Sequence, residues 1–260
     1  MKPVGVITRG TTAPNRLRRV DRWLIHSECS RLRAEEKPIV VDLGYGAAPT
    51  TTLELRDRLA KHVRSDIHVV GIEIDPQRVA QAQLLADTQL RFIRGGFEIP
   101  VDGKVSVIRA LNVLRQYEEK EVDSSWQQMG KRLVAGGLLV DGTCDEIGRR
   151  SAWVALRKAD ELVPISLTFS LHLASLGKPS DIAARLPKKL IHRNTSGQQI
   201  FNVLQLLDAA WQKTAASATF GARQHWIATL EHATANGLIT LDNESRWRLG
   251  EVTLPWEAVQ

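Results

Sequence analysis

The sequence specifies an α/β chain built on a doubly wound, mostly parallel sheet, with a helical arm before it and a mainly helical extension after it. Two observations lead there. Short runs rich in β-branched residues, at 38–43, 67–72, 90–93, 105–108 and 137–141, are each bounded by a turn or a helix signal. Between them lie stretches whose apolar residues recur at helical spacing, and strands alternating with helices at this pitch pack as a parallel sheet covered on both faces.

The elements follow in order. Leu53, Leu55, Leu59 and Val63 space a helix over 50–63, and Asp75 followed by Pro76 caps one over 76–86. Val122, Trp126, Met129 and Leu133 fall on one face of a third, 118–133. A helix over 152–162 and a strand over 164–169 complete the α/β region. Beyond residue 173 the rhythm changes. Breakers at Pro179 and Pro187 precede two amphipathic stretches, 198–216 and 222–236, and the tail 238–249 reads as a hairpin. Three regions are therefore expected: a basic arm and helix over 1–35, an α/β core over 36–173, and an extension or lid over 174–260. Two helices and a hairpin also suit a winged-helix reader of nucleic acid. The less specialised alternative, favoured because these helices are not notably basic, is a lid whose last strand returns to the edge of the sheet.

At 260 residues, with 43% apolar and 25% charged side chains, the chain is long enough to bury a core without metal or disulfide. No apolar run reaches membrane-spanning length, the first residues lack the apolar core of a secretory signal, and a cytoplasmic location is expected. Cys29 and Cys144 have no neighbouring ligand set and are expected to be reduced thiols, not metal ligands. The net charge of +6 resides entirely in residues 1–34, where eight cations face only Asp21 and Glu28. That arm is either a solvated helix face or a surface for an anionic partner. Its single aromatic residue, Trp23, argues against base stacking. Asn15 is placed to cap the arm's helix, which runs to about Ala34.

The stretch that carries chemistry is Val40-Val41-Asp42-Leu43-Gly44-Tyr45-Gly46-Ala47-Ala48-Pro49-Thr50. A buried strand ends in an aspartate, and a small-residue loop opens directly into a helix. Glycines at 44 and 46 let the backbone turn sharply and approach a ligand, and the helix start offers unpaired N–H groups. Pro49 stands where a dinucleotide pattern wants glycine or alanine, and no Gly-Lys-Ser/Thr ending marks a phosphate loop. The next strand ends in Glu73-Ile74-Asp75-Pro76, a Gly95-Gly96-Phe97-Glu98 turn follows the third, and Arg109-Ala110-Leu111-Asn112-Val113-Leu114-Arg115-Gln116-Tyr117 follows the fourth.

On these motifs residues 36–170 resemble the class I S-adenosylmethionine-dependent methyltransferases, with Ala48 in place of the usual third glycine and the Gly136-Gly137 turn before the fifth strand matching as well. The resemblance implies a Rossmann-like methyltransferase fold with S-adenosyl-L-methionine as cofactor. It places Asp42, Gly44, Tyr45, Gly46 and Ala48 around the cofactor's amino-acid end. Glu73 would take the ribose hydroxyls, since a carboxylate has two acceptor oxygens for two adjacent donors. Ile74, Gly96 and Phe97 would meet the adenine, with Glu98 as an alternative contact, and Leu111 and Asn112 would line the crevice. Gly96 stands where the family frequently has an aspartate. The Asn-Val-Leu-x-x-Tyr order is similar to that of protein-carboxyl methyltransferases of chemotaxis, whereas the Asn/Asp-Pro-Pro-aromatic signature of base-amine methylating enzymes is absent.

The cofactor supplies the activated methyl group, so the protein's task is to align donor and acceptor and exclude water. Tyr117, His26 and Glu28 are candidate general bases, and Asn112 and Arg115 are candidates to orient an acceptor. Arg9 and Arg16 are candidates to bind the cofactor's carboxylate or an acidic substrate, with the loop before Asn15 folding over the site. The expectation is methyl transfer to a small or anionic acceptor. The alternatives are a nucleic-acid-binding regulator and a catalytically silent interaction module on the same fold.

Overall fold

The computed structural model describes residues 3–7, 10 and 13–260. Eight strands form one sheet in the order β3-β2-β1-β4-β5-β6-β7-β8. The first five, β1 (Ile39–Leu43), β2 (His68–Glu73), β3 (Leu90–Arg94), β4 (Val105–Leu111) and β5 (Leu133–Cys144), are parallel. The last three, β6 (Arg150–Lys158), β7 (Leu162–Leu171) and β8 (Glu251–Pro255), extend the sheet as an antiparallel meander. This is the doubly wound, Rossmann-like architecture expected, with an antiparallel half added to it.

Helices cover both faces. Along β1, Val40 points into one core with Leu24 of α1 (Arg18–Ala34) and Leu55 and Leu59 of α2 (Thr50–His62). Val41 points into the other core, with Trp126 and Met129 of α4 (Glu119–Gly130). The alternation is that of successive strand residues buried on both faces. Asp75 caps α3 (Pro76–Gln83), its side chain accepting from Gln77 N and Arg78 N. The short α5 (Lys188–Ile191) leads to α6 (Gln199–Lys213) and α7 (Ala222–Ala235), whose Leu204, Leu207, Trp226 and Leu230 join the α4-side core beside Val154 and Phe169.

Several expectations are corrected. Residues 152–162 are not a helix: Ser151 to Ala155 are buried to 1% exposure or less between the two helical layers. A run that is apolar all round carries no period by which a helix is told from a central strand. The tail is not a hairpin. Asn243 caps a single turn, α8 (Glu244–Trp247), and the strand comes later, as β8 against β7. The winged-helix reading fails with the hairpin, while the expected return of the last strand to the sheet edge is observed. In the extension, α6 and α7 form part of the helical layer beneath the sheet's antiparallel half. Asn15 does not cap α1. It sits at φ 61° and its side chain accepts from Arg58, and α1 begins at Arg18 without a side-chain cap.

Much of the basic arm is spent within the fold. Arg33 donates to the Val63 and His62 carbonyls, Arg19 to Ser170 and the Leu249 carbonyl, and Arg31 to Glu28 and the Ser106 carbonyl. No helix among the described residues is long and apolar enough to cross a membrane.

Candidate functional site

Strands β1 and β4 are neighbours whose following connections run to opposite sides, and the carboxyl ends of such a pair leave a crevice in an open α/β sheet. A cavity of ≈380 Å³ lies there, lined by Asp42, Gly44, Tyr45 and Gly46 from the β1 end, Leu111 and Asn112 from the β4 end, and Cys144 from the β5 end. Arg16, Arg115 and Arg185 also reach it, together with Gly10, Leu17, Thr51, Gln116 and Glu146. Of the expected site, the structure brings together the glycine turn, Leu111, Asn112, Arg115 and Arg16.

The turn requires its glycines, since Gly44 (φ 70°) and Gly46 (φ 85°) both lie in the left-handed region. Glu73, at the tip of β2, accepts from Gly46 N at 3.0 Å and from Ile74 N at 2.8 Å, so it is bonded directly to the turn. Ala48 belongs to the loop but does not line the cavity. Asp42 lines it, yet its carboxylate is engaged inward: Arg109 Nε (2.9 Å), Thr51 Oγ1 (3.1 Å) and Thr52 Oγ1 (2.8 Å) all donate to it. Its role here is to fix the strand end and the start of α2.

Asn112 is a non-glycine residue at φ 62°. Asparagine tolerates this conformation, and here it is held from three directions. Its amide N–H donates to the Gly142 carbonyl at 2.7 Å, its Oδ1 accepts from Cys144 N at 3.0 Å, and its Nδ2 donates to Cys144 Sγ at 3.1 Å. Burial pushes the Cys144 thiol up, so the sulfur is a packed wall and hydrogen-bond acceptor here.

A narrow crevice adjoins the cavity across Gly44. It is lined by Glu73, Ile74, Gly96 and Phe97, which were expected around ribose and adenine, by Ile72, Val113 and Tyr117, and also by Val4 and Val6. The amino-terminal strap fills it, leaving only ≈10 Å³. Val4 O accepts from Phe97 N (3.0 Å), Val4 N donates to a Glu98 oxygen (2.8 Å), and Val6 N donates to the Tyr117 hydroxyl (2.7 Å). Further along, Gly10 O accepts from Ala47 N (3.1 Å). Glycine at 96 is needed for this approach, because a Cβ there would collide with the Val4 carbonyl.

The expected bases do not converge on the main cavity. Tyr117 lies in the narrow crevice, its ring 5.1 Å from that of Phe97 and its hydroxyl engaged by Val6; burial raises its pKa. His26 is exposed on α1, whose inward face is formed by Val20, Trp23, Leu24 and Leu32. Glu28 is buried and ion-paired with Arg157 (2.7 Å), which also donates to Gly136 O near the start of β5, away from the strand ends that form the cavity. Arg16 lines the cavity with its Nε donating to the Asp145 carbonyl at 3.0 Å. Arg9 lies outside the described residues, as does most of the loop expected to fold over the site. Cys144, Glu146, Gln116 and Arg185 were not expected to line it. Cys144 and Glu146 fall just past a recognised strand, a signal that position supplies, whereas nothing local marks Arg185.

No family model and no curated protein matches this chain. Solved structures similar to part of it include magnesium protoporphyrin IX methyltransferase (ChlM) from Synechocystis PCC 6803 with bound SAH, at 19% identity over 49% of this chain and 54% of that one, TM-score 0.37. The plantazolicin methyltransferase BamL, in complex with a desmethylPZN analog and SAH, aligns at 17% identity over 50% and 46%, TM-score 0.39. LepI in complex with SAM aligns at 18% identity over 46% and 30%, TM-score 0.38. In each case this chain spans about half or less of the other's length.

Proposed function

We propose that this chain is an S-adenosylmethionine-dependent methyltransferase acting on a small or anionic acceptor. One observation carries the reading: at the switch point of the sheet, a turn built on two positive-φ glycines is hydrogen-bonded to the carboxylate at the tip of the next strand, and an open cavity begins beside it. The residues fit the cofactor in two unequal halves. The turn at residues 44–46, Leu111 and Asn112 border enough space for the amino-acid end. Glu73, Ile74 and Phe97 are set out for ribose and adenine, but the strap at residues 4–6 must yield before a nucleoside enters.

When bound, the cofactor supplies a methyl group already activated on sulfur. The chain then has to hold the acceptor in line and keep water out. Asn112, fixed by its backbone and by Cys144, presents a rigid wall beside the glycine turn. No base is required of Tyr117, whose raised pKa and bond to Val6 N suit a structural part. An acceptor already deprotonated at neutral pH, such as a carboxylate, needs no general base.

Calorimetric titration with S-adenosylhomocysteine tests the reading. One site is expected, weakened at least tenfold in Glu73→Gln with an unchanged circular dichroism spectrum. Absence of binding, or equal affinity in the two proteins, removes it. The closed crevice favours a second reading, a cofactor fold retained as a binding module without catalysis. Binding of the thioether, with no methyl consumed from labelled cofactor in any acceptor mixture, would select it.

A further inference from the structure

The wall of the cavity opposite the glycine turn is basic, and two of its arginines have no carboxylate partner among the described residues. Arg115 follows β4 on a 3-10 turn (Leu114–Gln116), and Arg185 ends a 3-10 stretch (Pro179–Arg185) lying over the end of β5. The two are tied together through the backbone. Arg115 Nη1 donates to the Ala184 carbonyl at 3.0 Å, and the Thr143 hydroxyl, at the end of β5, donates to the Arg185 carbonyl. Both anchors hold the turns and leave the charges free. Among the described residues neither guanidinium has a carboxylate partner, and that of Arg185 makes no hydrogen bond.

Neighbouring cations are treated differently. Lys178 pairs with Asp208 at 3.2 Å, Lys189 with Asp123 at 2.5 Å, Arg193 with Glu119 at 3.1 Å and Arg150 with Asp181 at 3.5 Å. Arg115 and Arg185, which line the cavity, have no such partner among the described residues. Partial burial and the charge of Arg185 both lower the pKa of Arg115, a conflict that an anion between the two would relieve. The acidic side chains on the same cavity do not serve: Asp42 is bonded to Arg109, Thr51 and Thr52, and Glu146 pairs with neither arginine.

We propose that Arg115 and Arg185 form an anion clamp that holds a carboxylate or phosphate group of the methyl acceptor. Guanidinium forks match the geometry of either oxyanion. The clamp lies over the ends of β4 and β5, across the cavity from the turn assigned to the cofactor, so it acts on the second substrate. Its assignment to the acceptor rests on the methyltransferase reading; its affinity for anions does not.

The test uses the intact chain, with and without saturating S-adenosylhomocysteine, titrated with inorganic phosphate or malonate at ionic strength held constant with sodium chloride. Melting temperature reports anion binding and calorimetry reports thioether binding. Saturable stabilisation by at least one anion is expected. Arg115→Gln/Arg185→Gln should bind that anion at least tenfold more weakly while its thioether affinity stays within twofold. Tighter binding of malonate assigns a carboxylate, and tighter binding of phosphate assigns a phosphate. If the double variant does not fold, Arg185→Gln carries the test, since that side chain makes no bond to lose. An unchanged anion response in the variant overturns the clamp, and so does a wild-type protein that responds to neither anion. An anion response lost in the variant, in a chain that binds no thioether, sustains the clamp and overturns the methyltransferase reading instead.

Discussion

Asp42 shows how a residue can occupy a motif position and have its charge spent elsewhere. The resemblance implies a cofactor contact, yet its carboxylate lies in a buried network with Arg109, which also pairs with Asp21, and with two threonine hydroxyls. Burial alone would lower the Arg109 guanidinium, but Asp21 and Asp42 outweigh it and hold the arginine charged. Removing one member of a buried ion cluster leaves the others uncompensated, at a cost of about 3–5 kcal/mol. Arg109→Met is therefore expected to lose about that much stability in urea denaturation; a loss below about 1 kcal/mol would mean that the carboxylates find other partners. Asp141 gives the opposite case, a buried carboxyl with the Trp126 indole N–H (3.0 Å) as its hydrogen-bond donor. Burial raises it to about 7, only partly offset by that donor. Because the folded value lies above the unfolded value of ~3.9, the group favours folding fully below about pH 4, and that contribution is lost as pH rises to about 7. Asp141→Asn should thus gain on the wild type between pH 5 and pH 8, by about 2–3 kcal/mol. Parallel pH profiles for the two proteins would show that Asp141 titrates normally.

Among the elements, the strap at residues 4–7 has the clearest consequence for binding. It makes backbone hydrogen bonds to Phe97, Glu98 and Tyr117 within the crevice lined by Glu73, Ile74 and Phe97. Each such bond is worth about 0.5–1.5 kcal/mol net, and a ligand that must displace them binds more weakly by the fraction of time the crevice is closed. Deleting residues 1–7 is expected to tighten S-adenosylhomocysteine binding at least fivefold and to speed its association; a tenfold weakening would make the strap part of the nucleoside site. The strap was not legible in the sequence, because Val4 and Val6 contribute mainly backbone groups, which any residue supplies. The glycine turn and Glu73 were legible because their chemistry depends on residue type, on the absence of a Cβ and on a carboxylate at a strand tip. Arg185 was not, since it reaches the cavity only through the packing of a 3-10 stretch over β5. The strand at β6 was misread for a related reason: burial on both faces erased the alternation that identifies a strand.

Across the whole molecule, the parallel half supplies the crevice and the antiparallel half closes the sheet on one side. Division at residue 173 follows the change in sequence rhythm, but one apolar core runs across it, joining Val154, Leu167 and Phe169 to Leu204, Leu207, Trp226 and Leu254. Strand β8 also covers β7, which would otherwise present an unpaired edge. A fragment ending at residue 173 would expose both that edge and the apolar face beneath α6 and α7. It would also lose Arg185, and with it one jaw of the clamp. Such a fragment is expected to aggregate or to lack a cooperative melting transition, whereas the full chain unfolds in a single step. Size-exclusion chromatography and near-ultraviolet circular dichroism decide the matter. A monomeric, cooperatively melting fragment that binds S-adenosylhomocysteine would show that the α/β core folds without its extension, and that residues 174–260 were added to a finished domain.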